Sequence, residues 1–163
     1  MATTLELLAD YHQIHVMDEQ SEGDPGGVWT EQTLLDGLGV TDGALAIRTA
    51  VNVTVAVSVH VLPQQPDDEG KDFDHVVEAS LHLASGRLVV MGCTDYFPDA
   101  ARFDMPADWI RVRASRRNLA AAVEADIDSY ESPETAEQLR LQAWPAQFSA
   151  PHIIKRWVQP ETA

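Results

Sequence analysis

Apolar and polar positions alternate without a break from Val51 to Val61, with Val51, Val53, Val55, Val57, Val59 and Val61 apolar and Asn52, Thr54, Ala56, Ser58 and His60 small or polar between them. Period two with one apolar face predicts a half-buried strand, and a sheet with one wet face is normally antiparallel. Leu45, Ile47 and Thr49 alternate in the same way from Ala44. Further short strands are predicted over 75–83, 87–92, 101–105 and 109–115, the last with Ile110, Val112 and Ala114 inward. Ala84-Ser85-Gly86 reads as a hairpin loop and Met105-Pro106-Ala107-Asp108 as a turn.

Towards the start, residues 8–18 contain Tyr11, Ile14, Val16 and Met17 with no Gly or Pro, which predicts a first strand. Residues 21–27 form a loop by composition. Thr30 is placed to cap a short helix carrying Leu34, Leu35 and Leu38 and closed by Gly39; Thr33, three residues on, does not make the usual Glu or Gln capping box. Residues 118–130 read as locally helical, and Leu139, Leu141 and Ala143 alternate as a last strand. About eight short strands with too few helices for repeated crossovers predict a mainly β protein. The architecture expected is an antiparallel β-sandwich, jelly-roll-like or otherwise, with one or two short helices. The expected division is one sandwich domain over 1–144 and a C-terminal extension over 145–163. That extension carries Phe148, Ile153, Ile154 and Trp157, apolar enough to pack on the domain or on a second copy.

The charge balance changes the picture more than the rest of the composition. Asp and Glu number 26 against 11 Lys and Arg, a net charge of −15 at pH 7 over 163 residues. A field of that sign opposes approach to nucleic acid or an anionic membrane, so neither is an expected partner. Cys93 is the sole cysteine, which excludes an intramolecular disulfide or a Cys-based zinc cluster and suits a reducing cytoplasm. The first residues lack the charged and apolar regions of a signal peptide, and no run reaches the ~20 apolar residues that span a bilayer. A cytoplasmic, bacterial-type protein is the expectation.

The candidate chemical sites are weak. His12 and His15, three apart on the predicted strand, would point to opposite faces and cannot share an ion, so His12 is expected to be packed or hydrogen-bonded beside Ile14 and Val16. Cys93 would need a base and an electropositive pocket to act as a nucleophile, and the chain is poor in positive charge, so a buried, inert thiol is expected. There is no Gly-x-Ser-x-Gly elbow and no phosphate-binding loop. The carboxylates sit in runs, among them Asp67, Asp68, Glu69, Asp72 and Asp74, and the run from Glu124 to Glu137. Such runs suit an electrostatic face better than general acid–base work, which needs a carboxyl shifted by burial.

Tyr11-His12-Gln13, then Trp29-Thr30, then Asp42-Gly43-Ala44, and later Phe103-Asp104-Met105-Pro106 resemble, in order and spacing through about residue 115, the competence protein J family. That resemblance implies a small acidic protein whose characterised type inhibits a DNA-entry nuclease of bacterial transformation. It brings no catalytic residues with it.

The expectation is therefore a binding protein and not an enzyme, an inhibitor or immunity-like partner of a basic protein such as a nuclease. Asp67, Asp68, Glu69, Asp72 and Asp74 are its partner-binding face, with no cofactor and no metal, and a homodimer through the tail is a further option. The alternative is a sandwich that binds a small molecule or metal in a pocket drawn from His12, His60, His75 and Tyr96.

Overall fold

The alternating valines form β5 (Thr54–Val61), with Val55, Val57 and Val59 buried and the residues between them half-exposed. In the computed structural model, which describes residues 2–68 and 70–159, β5 lies second in a six-stranded sheet. The order is β1 (Ala2–Leu8), β5, β10 (Gln138–Pro145), β9 (Asp108–Arg117), β6 (His75–Leu83) and β11 (His152–Lys155). A five-stranded sheet faces it in the order β3 (Leu38–Thr41), β4 (Ala44–Arg48), β2 (Gln13–Asp18), β7 (Arg87–Gly92) and β8 (Ala101–Asp104). All pairings are antiparallel except β5 with β10, which is parallel. The protein is thus a mainly β sandwich of two sheets with two short α-helices, as the alternation predicts.

The core is the interleaving of the two inner faces. Val55, Val57 and Val59 of β5, Leu139 and Leu141 of β10, Ile110 and Val112 of β9 and Leu81 of β6 meet Ile14, Val16, Leu45, Ile47, Leu88 and Val90 from the other sheet. Each of these fully buried aliphatic side chains contributes about 1.5–3 kcal/mol of transfer free energy.

Several local expectations are corrected. The stretch 8–18 is not one strand: β1 ends at Leu8, a single 3-10 turn (Asp10–His12) follows with Tyr11 and His12 at φ 55° and 58°, and β2 begins at Gln13. His12 is exposed in that turn, and His15 on β2 is the packed histidine, hydrogen-bonded to Gln13 at 2.7 Å. Thr30 does cap α1 (Glu31–Asp36), and Thr33 completes a reciprocal box, its hydroxyl taking the place of the usual Glu or Gln in accepting from the Thr30 N–H. The helix closes at Gly37, φ 69°, two residues before the expected Gly39; Leu38 and Gly39 already belong to β3. The turn at Ala84–Gly86 joins β6 and β7 across the two sheets and is no hairpin. The helical stretch shortens to α2 (Leu119–Ala125).

The strand directions place one set of connections at one end of the sandwich: the 9–12 turn, 49–53, 93–100, and the segment from α2 to Glu137. Both helices adjoin this helical end. The tail crosses the outer face of the six-stranded sheet, where Arg111 donates to the Gln147 carbonyl at 2.7 Å and Phe148 stacks edge-on against Trp109. It then adds β11 beside β6. Residues 160–163 of the expected extension lie outside the described residues.

Candidate partner-binding surface

On β9, residues of one parity face the core, so Arg111, Arg113 and Arg117 face outward, as does Arg140 of β10. Bare guanidinium groups on a sheet face would keep their water, yet Arg113 is fully buried. The segment 62–74 between β5 and β6 explains this by lying over them like a strap. Arg113 donates to Glu78 at 2.7 Å and to the Asp68 carbonyl, and its guanidinium lies 5.3 Å from the ring of buried Trp144. Phe73 is buried between the guanidinium groups of Arg140, at 4.4 Å, and Arg117, at 5.4 Å.

The strap carries the sequence-predicted site residues, and they differ in circumstance. Asp67 and Asp72 are exposed. Asp68 accepts from the Gly70 N–H at 2.8 Å and from Arg140 at 2.9 Å, which together hold its carboxyl below the ordinary aspartate range. Asp74 is half-buried and accepts from the Leu119 N–H at 3.1 Å, satisfying one of the free donors at the start of α2. Glu69 lies outside the described residues. Asp68, Asp72, Phe73, Arg117 and Arg140 line an open cavity of about 430 Å³.

Elsewhere the arginines are directed inward or into ion pairs. Arg116 pairs with fully buried Glu137 at 3.1 Å, Arg102 with Glu19 at 3.1 Å, Arg156 with Asp36 at 2.8 Å, and Arg87 with Glu19 and Asp104. Most of the scarce positive charge is thus taken up by contacts within the chain, while most carboxylates outside these pairs, buried Asp18 apart, remain at the surface. The excess of carboxylates over cations, 26 against 11, therefore stands largely unpaired on the surface.

The histidines and Tyr96 do not assemble into the pocket of the alternative reading. His75 is buried at the helical end. Its Nδ1 accepts from the Trp157 N–H at 3.0 Å, so the proton sits on Nε2, which donates to the Asp36 carbonyl at 2.6 Å. Burial, and then the charge of Arg116, lower its pKa to about 4. It borders a cavity of about 170 Å³ with Arg48, Arg116 and Trp157. His60 stands on β5, paired with Ala2 and Gln142, and Tyr96 lines a separate cavity with Leu5 and Leu7. Cys93 donates its S–H to the Asp10 carbonyl; burial, then Asp10, push the thiol up. Among the described residues no group of three or more His, Cys, Asp or Glu is arranged to hold a metal ion, and no helix is long and apolar enough to cross a membrane.

Sequence reading missed that the outward arginines of β9 and β10 are covered or paired by the strap. The signal was present in part: Arg111, Arg113, Arg116 and Arg117 crowd one strand, and a strand cannot present four cations to water on one face alone. It also missed β1, whose large apolar residues are confined to Leu5, Leu7 and Leu8.

No protein-family model matches the chain, and no curated protein matches it. Two solved structures do. One is ComJ, inhibitor of the DNA degrading activity of NucA, from Bacillus subtilis, with a TM-score of 0.65 at 16% identity over 88% of this chain and 96% of that one. The other is the crocagin biosynthetic gene J protein, with a TM-score of 0.59 at 17% identity over 90% of this chain and 98% of that one. The chain has a ComJ-like fold, as the resemblance read from Tyr11-His12-Gln13 to Phe103-Asp104-Met105-Pro106 implies.

Proposed function

We propose that the protein is an acidic binding protein that inhibits or neutralises a basic protein partner of the nuclease type, acting in the cytoplasm and without catalytic chemistry of its own. The observation that carries this reading is the charge of the surface: most arginines are engaged in ion pairs or hydrogen bonds within the chain, and a large excess of carboxylates is left unpaired on a rigid sandwich. An anionic field steers a basic partner into encounter and repels nucleic acid. The fold, shared with an inhibitor of a nuclease, supports it. Asp67, Asp68, Glu69, Asp72 and Asp74 are proposed to contribute to that field.

The test is a DNA-degradation assay in which purified NucA-type nucleases are titrated with the protein at about 50 and about 300 mM salt. Inhibition that weakens at the higher salt is expected. If no nuclease is slowed at either salt, and no basic protein is retained in a pull-down at the lower one, the reading fails. A second reading, a small-molecule site, is favoured by one observation: the cavity at Phe73, Arg117 and Arg140 joins an aromatic ring to two guanidinium groups. It predicts a thermal shift with small carboxylates or phosphates that is lost in Arg117→Ala.

A further inference from the structure

All three tyrosines of the sequence are exposed: Tyr11 and Tyr96 at 71% and Tyr130 at 61%. Each stands beside an aspartate. Tyr11 follows Asp10, Tyr96 follows Asp95, and the Tyr130 hydroxyl donates to Asp128 at 3.0 Å, a contact that raises the phenol pKa. They are brought towards the end of β1 by specific contacts. Thr94 donates to Asp10 at 3.1 Å, which ties the turn before Tyr96 to the turn of Tyr11. The Thr54 N–H donates to Asp128 at 2.8 Å, and Thr54 is the register partner of Leu8. Leu8 itself is 41% exposed. A tyrosine left in water at three neighbouring positions suits a docking face, where its ring supplies contact area at a small entropic cost.

β1 is also an edge. It pairs with β5 on one side and has no strand partner on the other among the described residues, as β8 has none beyond β7. The Ala9 N–H points to Val53, so by the alternation of an antiparallel ladder the N–H and C=O groups of Thr4 and Glu6 point to the free side. Natural edges of this length, seven residues or about 23 Å, are usually blunted by lysine or proline; β1 has neither. Its two faces differ. Leu5 and Leu7 line an open cavity of about 370 Å³ with Tyr96 and Ala101, whereas Glu6 stands on the opposite side, close enough to Tyr130 to raise its phenol further. Glu6, Asp10, Asp95, Asp99 and Asp128 enter none of the ion pairs among the described residues.

We infer that the free edge of β1 is a docking site for one extended segment of a basic protein partner, in which apolar and Arg or Lys residues alternate. Added as a strand, the segment places its apolar side chains over Leu5, Leu7 and Tyr96. Its cations fall on the other face, beside Glu6 and the Tyr130–Asp128 pair, where carboxylate and ring face attract them together. A second copy of this chain is the poorer occupant, because its own edge would bring Glu6 and the net negative charge against the same acids. The inference rests on the basic-partner reading and gives it an address different from the strap.

The experiment is a titration of the isotope-labelled full chain with a capped decapeptide of alternating Arg and Val, followed by amide NMR, with an alternating Glu–Val peptide and an Arg-block–Val-block peptide as comparators. Amide shifts confined to β1, the 9–12 turn and 94–101 are expected with the alternating Arg–Val peptide. Binding should be at least about tenfold weaker for either comparator. Thr4→Pro removes an outward N–H while leaving the β5 ladder intact, and should weaken binding about tenfold; Tyr96→Ala should weaken it about fivefold. Asp72→Asn, on the strap, should change it less than about twofold. Shifts that map instead to 66–74 or 124–137 overturn the site and leave the basic-partner reading standing. Absence of binding by both Arg peptides overturns both. Equal binding of the Glu–Val peptide, or line-broadening at β1 that grows with protein concentration alone, overturns the proposed occupant.

Discussion

Acidification should unlatch the helical end through His75. The ring is buried, donates to the Asp36 carbonyl and accepts from the Trp157 N–H, so only its neutral form fits. Protonation of Nδ1 would set N–H against N–H and a second cation beside Arg116. In the unfolded chain the residue titrates at an ordinary histidine value near 6.5, whereas in the fold its pKa is about 4. Between these values the unfolded state holds a proton that the folded state does not. Stability is therefore complete above about pH 6.5 and declines as the pH falls towards 4, by about 1.4 kcal/mol per pH unit and about 3 kcal/mol in all. Urea denaturation at half-unit steps from pH 4 to 8, on the natural chain and on His75→Gln, measures it. The glutamine amide can still donate to the Asp36 carbonyl but has no proton to gain, so the difference in stability between the two chains should shrink as the pH falls. His15 and His60, also lowered by burial, act in the same window and cancel in that difference. A difference independent of pH from 4 to 7 would refute the reasoning.

Glu137→Ala should be costly, because it leaves Arg116 buried without its counter-charge and removes the acceptor of the Ala50 N–H at 2.6 Å; a loss of about 3–5 kcal/mol in chemical denaturation is expected. Gly92→Ala should cost about 1–3 kcal/mol, since a Cβ there collides with the Leu8 carbonyl oxygen, and hydrogen exchange at residues 8–10 should quicken first. Asp74→Asn weakens the acceptor that caps α2 and should cost about 1 kcal/mol by the same denaturation assay.

What could be read in advance follows the range of the interaction that fixes it. The strand β5 was legible because alternation against one core fixes it, and β6 and β7 because short apolar-rich runs lie between turn signals. The edge strands β1, β3 and β11 were not, because a half-exposed strand needs few apolar residues and its partner is distant in sequence. The capping box at Thr30 escaped because Thr33 does with a hydroxyl what Glu or Gln does more often. The proposed partner face was legible only as charge: Asp67 and Asp72 are exposed, but the tie of Asp68 to Arg140 spans 72 positions, and no local pattern announces it. Likewise nothing local announces that Tyr11, Tyr96 and Tyr130 lie towards the end of β1; the strand order and the ties of Thr94 to Asp10 and Thr54 to Asp128 bring them there.

The parallel pairing of β5 with β10 has a kinetic consequence. β10 lies between β5 and β9, so the six-stranded sheet is split into two unjoined pieces until residues 138–145 arrive. Its two borders are pairings of very different reach, to the nearby β9 and to β5 some eighty positions upstream. The chain must hold β1–β5 and β9–β6 apart, with Val55, Val57 and Val59 uncovered on one flank, before the keystone enters. Such non-local closure is slow, and the waiting intermediate exposes an open strand edge. For a growing chain this means that the valine-rich strand is synthesised long before its partner, which makes that interval the time of greatest exposure to aggregation.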